Sequence, residues 1–325
     1  MNPPQPKIVI TDWTFPDLRL EEKILNAHGV EMEARQCKTE SELIGLCAEA
    51  DTVITQFARV NANVIAAMRK ARAIVRYGIG VDNIDLDAAR ERGIPVCNVP
   101  DYCIDEVADQ TLAFILATTR QVVTHANHLR AAQWGLATQL ASMKALRDLT
   151  VGVVGFGRIG SEVVKRLIPF KCAVLAFDPV VPAAEIEMLG ARVATFDILL
   201  KSADILTLHC PSTAKTRRLM NRDTFAKLKP GAIFINVSRG DLADPEALTE
   251  ALQTGHLGAA ALDVFDPEPI PAGHPLRAMP NVILSPHIAS CSVPAVTKLR
   301  ESVASLALAA VRGEVLPTIV NGVKR

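Results

Sequence analysis

Apolar residues along this chain come in short runs separated by amphipathic segments. In the first hundred residues, Ile8-Val9-Ile10, Val53-Ile54-Thr55, Ala73-Ile74-Val75-Arg76 and Pro95-Val96-Cys97 predict strands. Between them the spacing predicts helices over 18–28, 41–50, 61–72 and 86–92, with Gly29 and Gly93 placed as helix C-caps. Strand and helix in alternation mean βαβ crossovers and a parallel sheet. A longer helix is expected over 104–120, where Ile104, Val107, Ala108, Thr111, Leu112, Ile115 and Leu116 form one stripe. The stretch 125–148 is polar and mixed, and reads as an exposed arm or a partner surface.

From Val151 the alternation resumes with fully apolar runs at 151–154, 174–177, 205–208, 232–235, 259–262 and 282–284. Continuous apolar character marks strands covered on both faces, so six of them with intervening helices describe a doubly wound sheet. The final expected element is an Ala/Leu/Val-rich helix over 296–312, ending at Gly313.

Composition narrows the function. Lys plus Arg is 35 and Asp plus Glu is 35, so no net positive field exists to hold nucleic acid or an anionic membrane. Hydrophobic residues at 49% exclude wholesale disorder, and no uninterrupted apolar run of about 20 residues spans a bilayer. Met1-Asn2-Pro3-Pro4-Gln5-Pro6 lacks a signal-peptide pattern. Seven Cys residues without a C-x-x-C pair read as reduced, mostly buried thiols. A cytoplasmic protein is expected.

The strongest local signal is Gly155-Phe156-Gly157-Arg158-Ile159-Gly160, between a strand ending at Val154 and a predicted helix. The first glycine permits a tight turn, the second lets a pyrophosphate approach the backbone, and the third allows close helix–strand packing. The helix N-terminus then holds the phosphates. Asp178, at the end of the next strand, suits a ribose 2′-hydroxyl and repels a 2′-phosphate, which favours NAD over NADP.

Three further segments lie at strand ends: Asn236-Val237-Ser238-Arg239-Gly240, Asp263-Val264-Phe265-Asp266-Pro267-Glu268-Pro269 and Ser285-Pro286-His287-Ile288-Ala289. They offer a guanidinium, a carboxylate and an imidazole, a set suited to reducing a 2-oxo acid. Together with Arg76-Tyr77-Gly78-Ile79-Gly80-Val81-Asp82-Asn83-Ile84-Asp85 and Asn98-Val99-Pro100, these segments stand in order along nearly the whole chain. In that order the sequence resembles the D-isomer-specific 2-hydroxyacid dehydrogenase family.

The resemblance implies an α/β enzyme with two domains. A Rossmann doubly wound NAD-binding domain, residues 101–292, is inserted into a smaller flavodoxin-like substrate domain, residues 1–100 and 293–325. It implies that His287 is the acid/base, that Glu268 favours its imidazolium, and that Arg239 binds the substrate carboxylate. Cofactor contacts implied are Gly155, Gly157, Arg158, Ile159, Gly160, Asp178, Pro211, Ser238 and Asp263, the last toward the nicotinamide carboxamide. Substrate contacts implied are Tyr77, Gly78, Ile79, Gly80 and Tyr102, beside Arg239. The substrate would be a small 2-oxo or 2-hydroxy acid, the assembly a homodimer through the large domain and the 125–148 arm, and no metal is called for.

Taken singly, each residue has a plainer explanation. Arg239 could pair with Asp241, Glu268 could be a solvated loop acid, and His287 a satisfied strand-end histidine. The remaining histidines, including His125 and His128 three apart, are expected to be structural. Asp241 and Ala243 stand where many family members carry a second glycine and a valine. A C-terminal regulatory domain like that of the longer phosphoglycerate dehydrogenases is not expected. An NAD(H)-sensing protein like the corepressors of this fold is the alternative function. Formate chemistry is disfavoured, because formate enzymes of the fold carry an amide where Glu268 stands.

Overall fold

The computed structural model describes residues 6–324, so the N-terminal segment weighed above as a leader lies largely outside it. The chain divides into two compact units, one of residues 1–102 and 292–325, the other of residues 103–291.

In the first unit, β1 (Ile8–Ile10), β2 (Met32–Ala34), β3 (Thr52–Thr55), β4 (Ala73–Arg76) and β5 (Val96–Cys97) form one parallel sheet in the order β2-β1-β3-β4-β5. This is the flavodoxin-like order. Successive side chains point to opposite faces of a strand. Accordingly Ile8, Ile10, Ile54, Val75 and Cys97 pack with the helix Val293–Arg312 on one face. Val9, Val53, Ile74 and Val96 pack on the other with the helices Glu40–Cys47 and Ala62–Ala67. Beyond β5 the C-terminal tail covers the sheet edge: Cys97 bridges Ile319, and Val96 N–H donates to Asn321 Oδ1 at 3.1 Å. An open edge strand would otherwise invite pairing with another chain.

The second unit carries β6 (Thr150–Val154), β7 (Ala173–Phe177), β8 (Arg192–Val193), β9 (Ile205–Leu208), β10 (Ala232–Asn236), β11 (Leu257–Leu262) and β12 (Val282–Leu284). Their order, β12-β11-β10-β9-β6-β7-β8, is all parallel and is the Rossmann arrangement with one strand added. The helix Ile104–Thr119 packs along the helix Arg158–Leu167, where Arg166 joins Asp105 at 2.5 Å and Asp109 at 2.8 Å.

Two strands were not predicted. Both β2 and β8 are edge strands of two or three residues, and their side chains are half-buried or exposed. Neither therefore shows the apolar run that betrays a covered strand. The mixed arm also contains a helix, Val122–Arg130, that buries none of its residues. The last helix begins earlier than expected. Ser292 caps it by accepting from Ala295 N–H at 3.1 Å, and Pro294 sits in the first turn, where its missing N–H costs nothing. Six of the seven thiols are buried and Cys291 is exposed. Among the described residues no helix is long and apolar enough to cross a membrane.

Candidate active site

Strand register sets up the site. Phe177, Val154, Leu208, Asn236, Leu262 and Leu284 are consecutive partners across β7, β6, β9, β10, β11 and β12. They end their strands on one row, so Asp178, Gly155, His209, Val237, Asp263 and Ser285 all emerge together at the carboxyl edge. Open α/β sheets bind their ligands there.

The glycine loop has the shape its sequence requires. Gly155 takes φ +94°, and a Cβ there would stand 2.7 Å from the His209 and Cys210 backbones. A Cβ on Gly160 would lie 2.1 Å from Gly155 O, so this glycine seats the helix against the strand. At Gly157 a Cβ would meet nothing within 4 Å, which leaves room for a ligand to approach. Gly157 also caps the helix Arg158–Leu167 and brings no side chain to satisfy its first N–H groups. A helix N-terminus with open N–H groups is a phosphate site.

Asp178 accepts from Phe156 N–H at 2.8 Å and from the Val180 and Val181 N–H groups at 2.8 and 3.0 Å. Burial alone would raise its pKa, but these three donors hold it below the usual carboxylate range. An ionised acceptor beside the loop suits ribose hydroxyls, and the loop and acid together fit a dinucleotide. Gly155 to Gly160 would hold its phosphates and Asp178 its ribose.

His209, behind the loop, is structural. Its Nε2 lies 2.9 Å from Thr207 Oγ1, and removal from water pushes its pKa down to about 3. The unfolded imidazole titrates near ~6.5, so below that pH the unfolded state binds the extra proton and stability falls until about 3. This one group contributes at most about 1.4 kcal/mol per pH unit. A His209→Gln variant is expected to lose stability less steeply between those pH values. Parallel acid limbs in urea titrations of the two proteins would count against this.

The three chemical segments occupy neighbouring strand ends. After β10, Ser238 Oγ donates to Cys210 O at 2.7 Å, and Asn236 Nδ2 donates to Arg239 O at 2.8 Å, fixing the turn that carries Arg239. Gly240 permits the next approach, since a Cβ there would lie 1.9 Å from Phe265 O. Glu268 follows β11. Its Oε1 meets His287 Nδ1 at 2.5 Å, and its Oε2 accepts from Phe265 N–H at 3.4 Å. Beside a carboxylate, Nδ1 carries the proton and donates. The side chains of His287 and Glu268 remain 25% and 33% exposed, so the pair is reachable.

His287 itself has φ +53°, a left-handed conformation uncommon outside glycine. Asp263 explains how it is held. Its backbone O accepts from His287 N–H at 2.8 Å, and its carboxylate accepts from the Ile288 and Ala289 N–H groups at 2.9 and 2.8 Å and from Ser285 Oγ. The sequence pointed Asp263 toward the nicotinamide, yet the side chain is fully buried and spends three acceptor sites on the His287 segment. An Asn here would face one of those donors with its own NH₂. We expect Asp263→Asn to lower kcat by about tenfold or more, as misplaced catalytic groups do, with the NADH Kd nearly unchanged. A loss confined to NADH affinity would favour the cofactor-contact role instead.

Asp241, the departure beside the arginine, receives Ser212 Oγ at 2.7 Å and Arg217 Nε at 3.3 Å. It therefore ties the loop after β9 to the Arg239 turn. Pro211, in that loop, is exposed, and its O accepts from Thr216 Oγ1 at 2.6 Å.

In the first unit, Tyr77 is 1% exposed and donates to Glu21 Oε1 at 3.0 Å, so its side chain packs in the core. Parity decides this, since Tyr77 follows Val75 onto the core face. Gly78 O accepts from Val99 N–H at 3.0 Å and Ile79 O from Asn98 Nδ2 at 2.7 Å. Among the described residues no acceptor meets the N–H of Ile79 or Gly80, an arrangement suited to an anion. Tyr102 packs half-buried against the same core. Sequence reasoning also missed Asp12, which follows β1 and accepts from the N–H groups of Gln56, Phe57 and Ala58 at 2.9, 2.6 and 3.1 Å. A buried acid just past a strand was its signal. Among the described residues no group of three or more His, Cys, Asp or Glu could hold a metal.

Residues 112–289 match the model of the D-isomer specific 2-hydroxyacid dehydrogenase, NAD binding domain. The chain belongs to the D-isomer specific 2-hydroxyacid dehydrogenase family. NAD is accordingly its cofactor. Within this family it is 36% identical over 97% of its length to a D-3-phosphoglycerate dehydrogenase of Mycobacterium leprae, of which it spans 59%. It is 37% identical to a glyoxylate reductase of Thermofilum pendens, covering 81% of this chain and 78% of that one. The structure of D-lactate dehydrogenase from Aquifex aeolicus complexed with NAD and lactic acid is 26% identical, with a TM-score of 0.87 over 97% of this chain and 99% of that one.

Proposed function

We propose that this chain transfers a hydride between NAD(H) and a small D-2-hydroxy or 2-oxo acid. The observation that carries the reading is the His287–Glu268 contact of 2.5 Å, on the same carboxyl edge as the Arg239 turn and the glycine loop. The nicotinamide, when bound, supplies the hydride donor or acceptor. Glu268 holds Nδ1 and so orients the ring, leaving Nε2 to pass the proton to the carbonyl oxygen in reduction and take it back in oxidation. Arg239 binds the substrate carboxylate through its planar fork and draws charge from the adjacent carbonyl. Within the first unit, the Ile79 and Gly80 N–H groups offer an anion site suited to a carboxylate.

Self-association belongs to the same proposal. Val122, Leu129, Trp134, Leu136 and Leu140 are all exposed on the arm of the second unit, Trp134 at 91%. So much apolar surface in one segment marks a partner face, here a second copy of the chain. Sedimentation should return twice the chain mass, and a monomer would contradict the dimer.

The deciding experiment is NADH oxidation with glyoxylate, hydroxypyruvate, pyruvate and 3-phosphohydroxypyruvate. Turnover of at least one is expected. Failure on all of them, with NADH still bound, would replace the enzyme by the corepressor-like sensor.

A further inference from the structure

Tyr77 lies between Arg76 and the Gly78-Ile79-Gly80 loop, and its burial raises the question of what its hydroxyl does. Glu21 answers it. This carboxylate sits on the inner face of the helix Arg19–Asn26 and is 0% exposed. Arg300, from the helix Val293–Arg312, clamps it through Nε at 2.8 Å and Nη2 at 2.6 Å, and Tyr77 donates to the same Oε1 at 3.0 Å. Arg300 is itself held by Asp17 O at 2.7 Å and lies 5.0 Å over the Phe15 ring. Phe15 in turn meets the Tyr77 ring edge-on at 5.2 Å.

Burying a carboxylate is costly even when it is paired, and an apolar trio would fill this space without that cost. The ionic cluster therefore points to a geometric requirement. Immediately after Tyr77 the chain turns at Gly78, with φ +145° and so little room that a Cβ would stand 1.4 Å from Arg76 Nη1. Gly78 N–H donates back to Arg76 O at 2.9 Å, so the turn depends on where the Tyr77 backbone is anchored.

We propose that Tyr77, Glu21 and Arg300 form a buried clasp that fixes the Gly78–Gly80 loop in its anion-binding shape, which makes Tyr77 a positioning residue rather than a substrate contact. The inference rests on reading that loop as a carboxylate site. Burial and the neighbouring Glu21 hold the Tyr77 phenol well above its usual range, so it remains a donor at any working pH.

Tyr77→Phe is the test, because it leaves the Glu21–Arg300 pair intact and so preserves the fold. KM for whichever 2-oxo acid the enzyme reduces should rise about tenfold, a modest share of what misplaced binding groups cost. The kcat and the KM for NADH should stay within about twofold of wild type. Amide hydrogen exchange at residues 78–80 should quicken while β1, β3 and β4 keep their protection. Arg300→Lys, which keeps charge but not the fork, should shift both readouts the same way. Unchanged exchange at 78–80, or faster exchange spread evenly over the first unit, would overturn the clasp. So would an unchanged substrate KM. If the wild type reduces no 2-oxo acid, the carboxylate reading falls, and the exchange measurement alone decides the clasp.

Discussion

Replacing His287 by Asn is expected to lower kcat for 2-oxo acid reduction by about 10²- to 10⁴-fold, the range that a positioned general acid supplies. The NADH Kd should change less than about twofold, because the glycine loop and Asp178 lie on other strand ends of the same edge. Glu268→Gln should fall between that variant and wild type. It keeps a hydrogen-bond acceptor for Nδ1 at the observed 2.5 Å contact but replaces the charge-assisted bond by a weaker neutral one. Near-normal kcat in the His287 variant would mean that another group moves the proton.

Arg239→Ala should reduce kcat/KM by about 10²- to 10⁴-fold, since hydrogen bonds to charged groups contribute about 1.5–3 kcal/mol each and two are lost with the fork. Arg239→Lys restores the charge without the fork and should recover only part of that loss. The turn beneath is held by backbone and side-chain bonds that survive the change, through Asn236, Ser238 and the Gly240 approach to Phe265. The variants should therefore keep the wild-type Tm within a few degrees. An unchanged kcat/KM in Arg239→Ala would place the substrate carboxylate elsewhere.

Much of this site could be read from the sequence because apolar runs mark buried parallel strands and the chemistry follows them. The strands ending at Val154, Asn236, Leu262 and Leu284 were visible in that way, and with them the positions of Gly155, Arg239, Glu268 and His287. What escaped notice depended on the third dimension. Strands β2 and β8 lie at sheet edges, where short half-exposed pairs need no apolar run. The arm helix Val122–Arg130 buries nothing within the chain, so its stripe had no core to announce. Tyr77 was placed by its motif, whereas strand parity carried it into the core. Asp263 received its nicotinamide role from the family resemblance, and the sequence could not show the three donors that surround its carboxylate. The left-handed His287 could not be foreseen, since no residue type at that position requires it.

The central claim is best tested by offering the purified protein NAD with the separated D and L isomers of a chiral 2-hydroxy acid, lactate or glycerate, and following NADH formation. The account predicts NADH from the D isomer and none from the L isomer. NADH from the L isomer, or from neither, would contradict it.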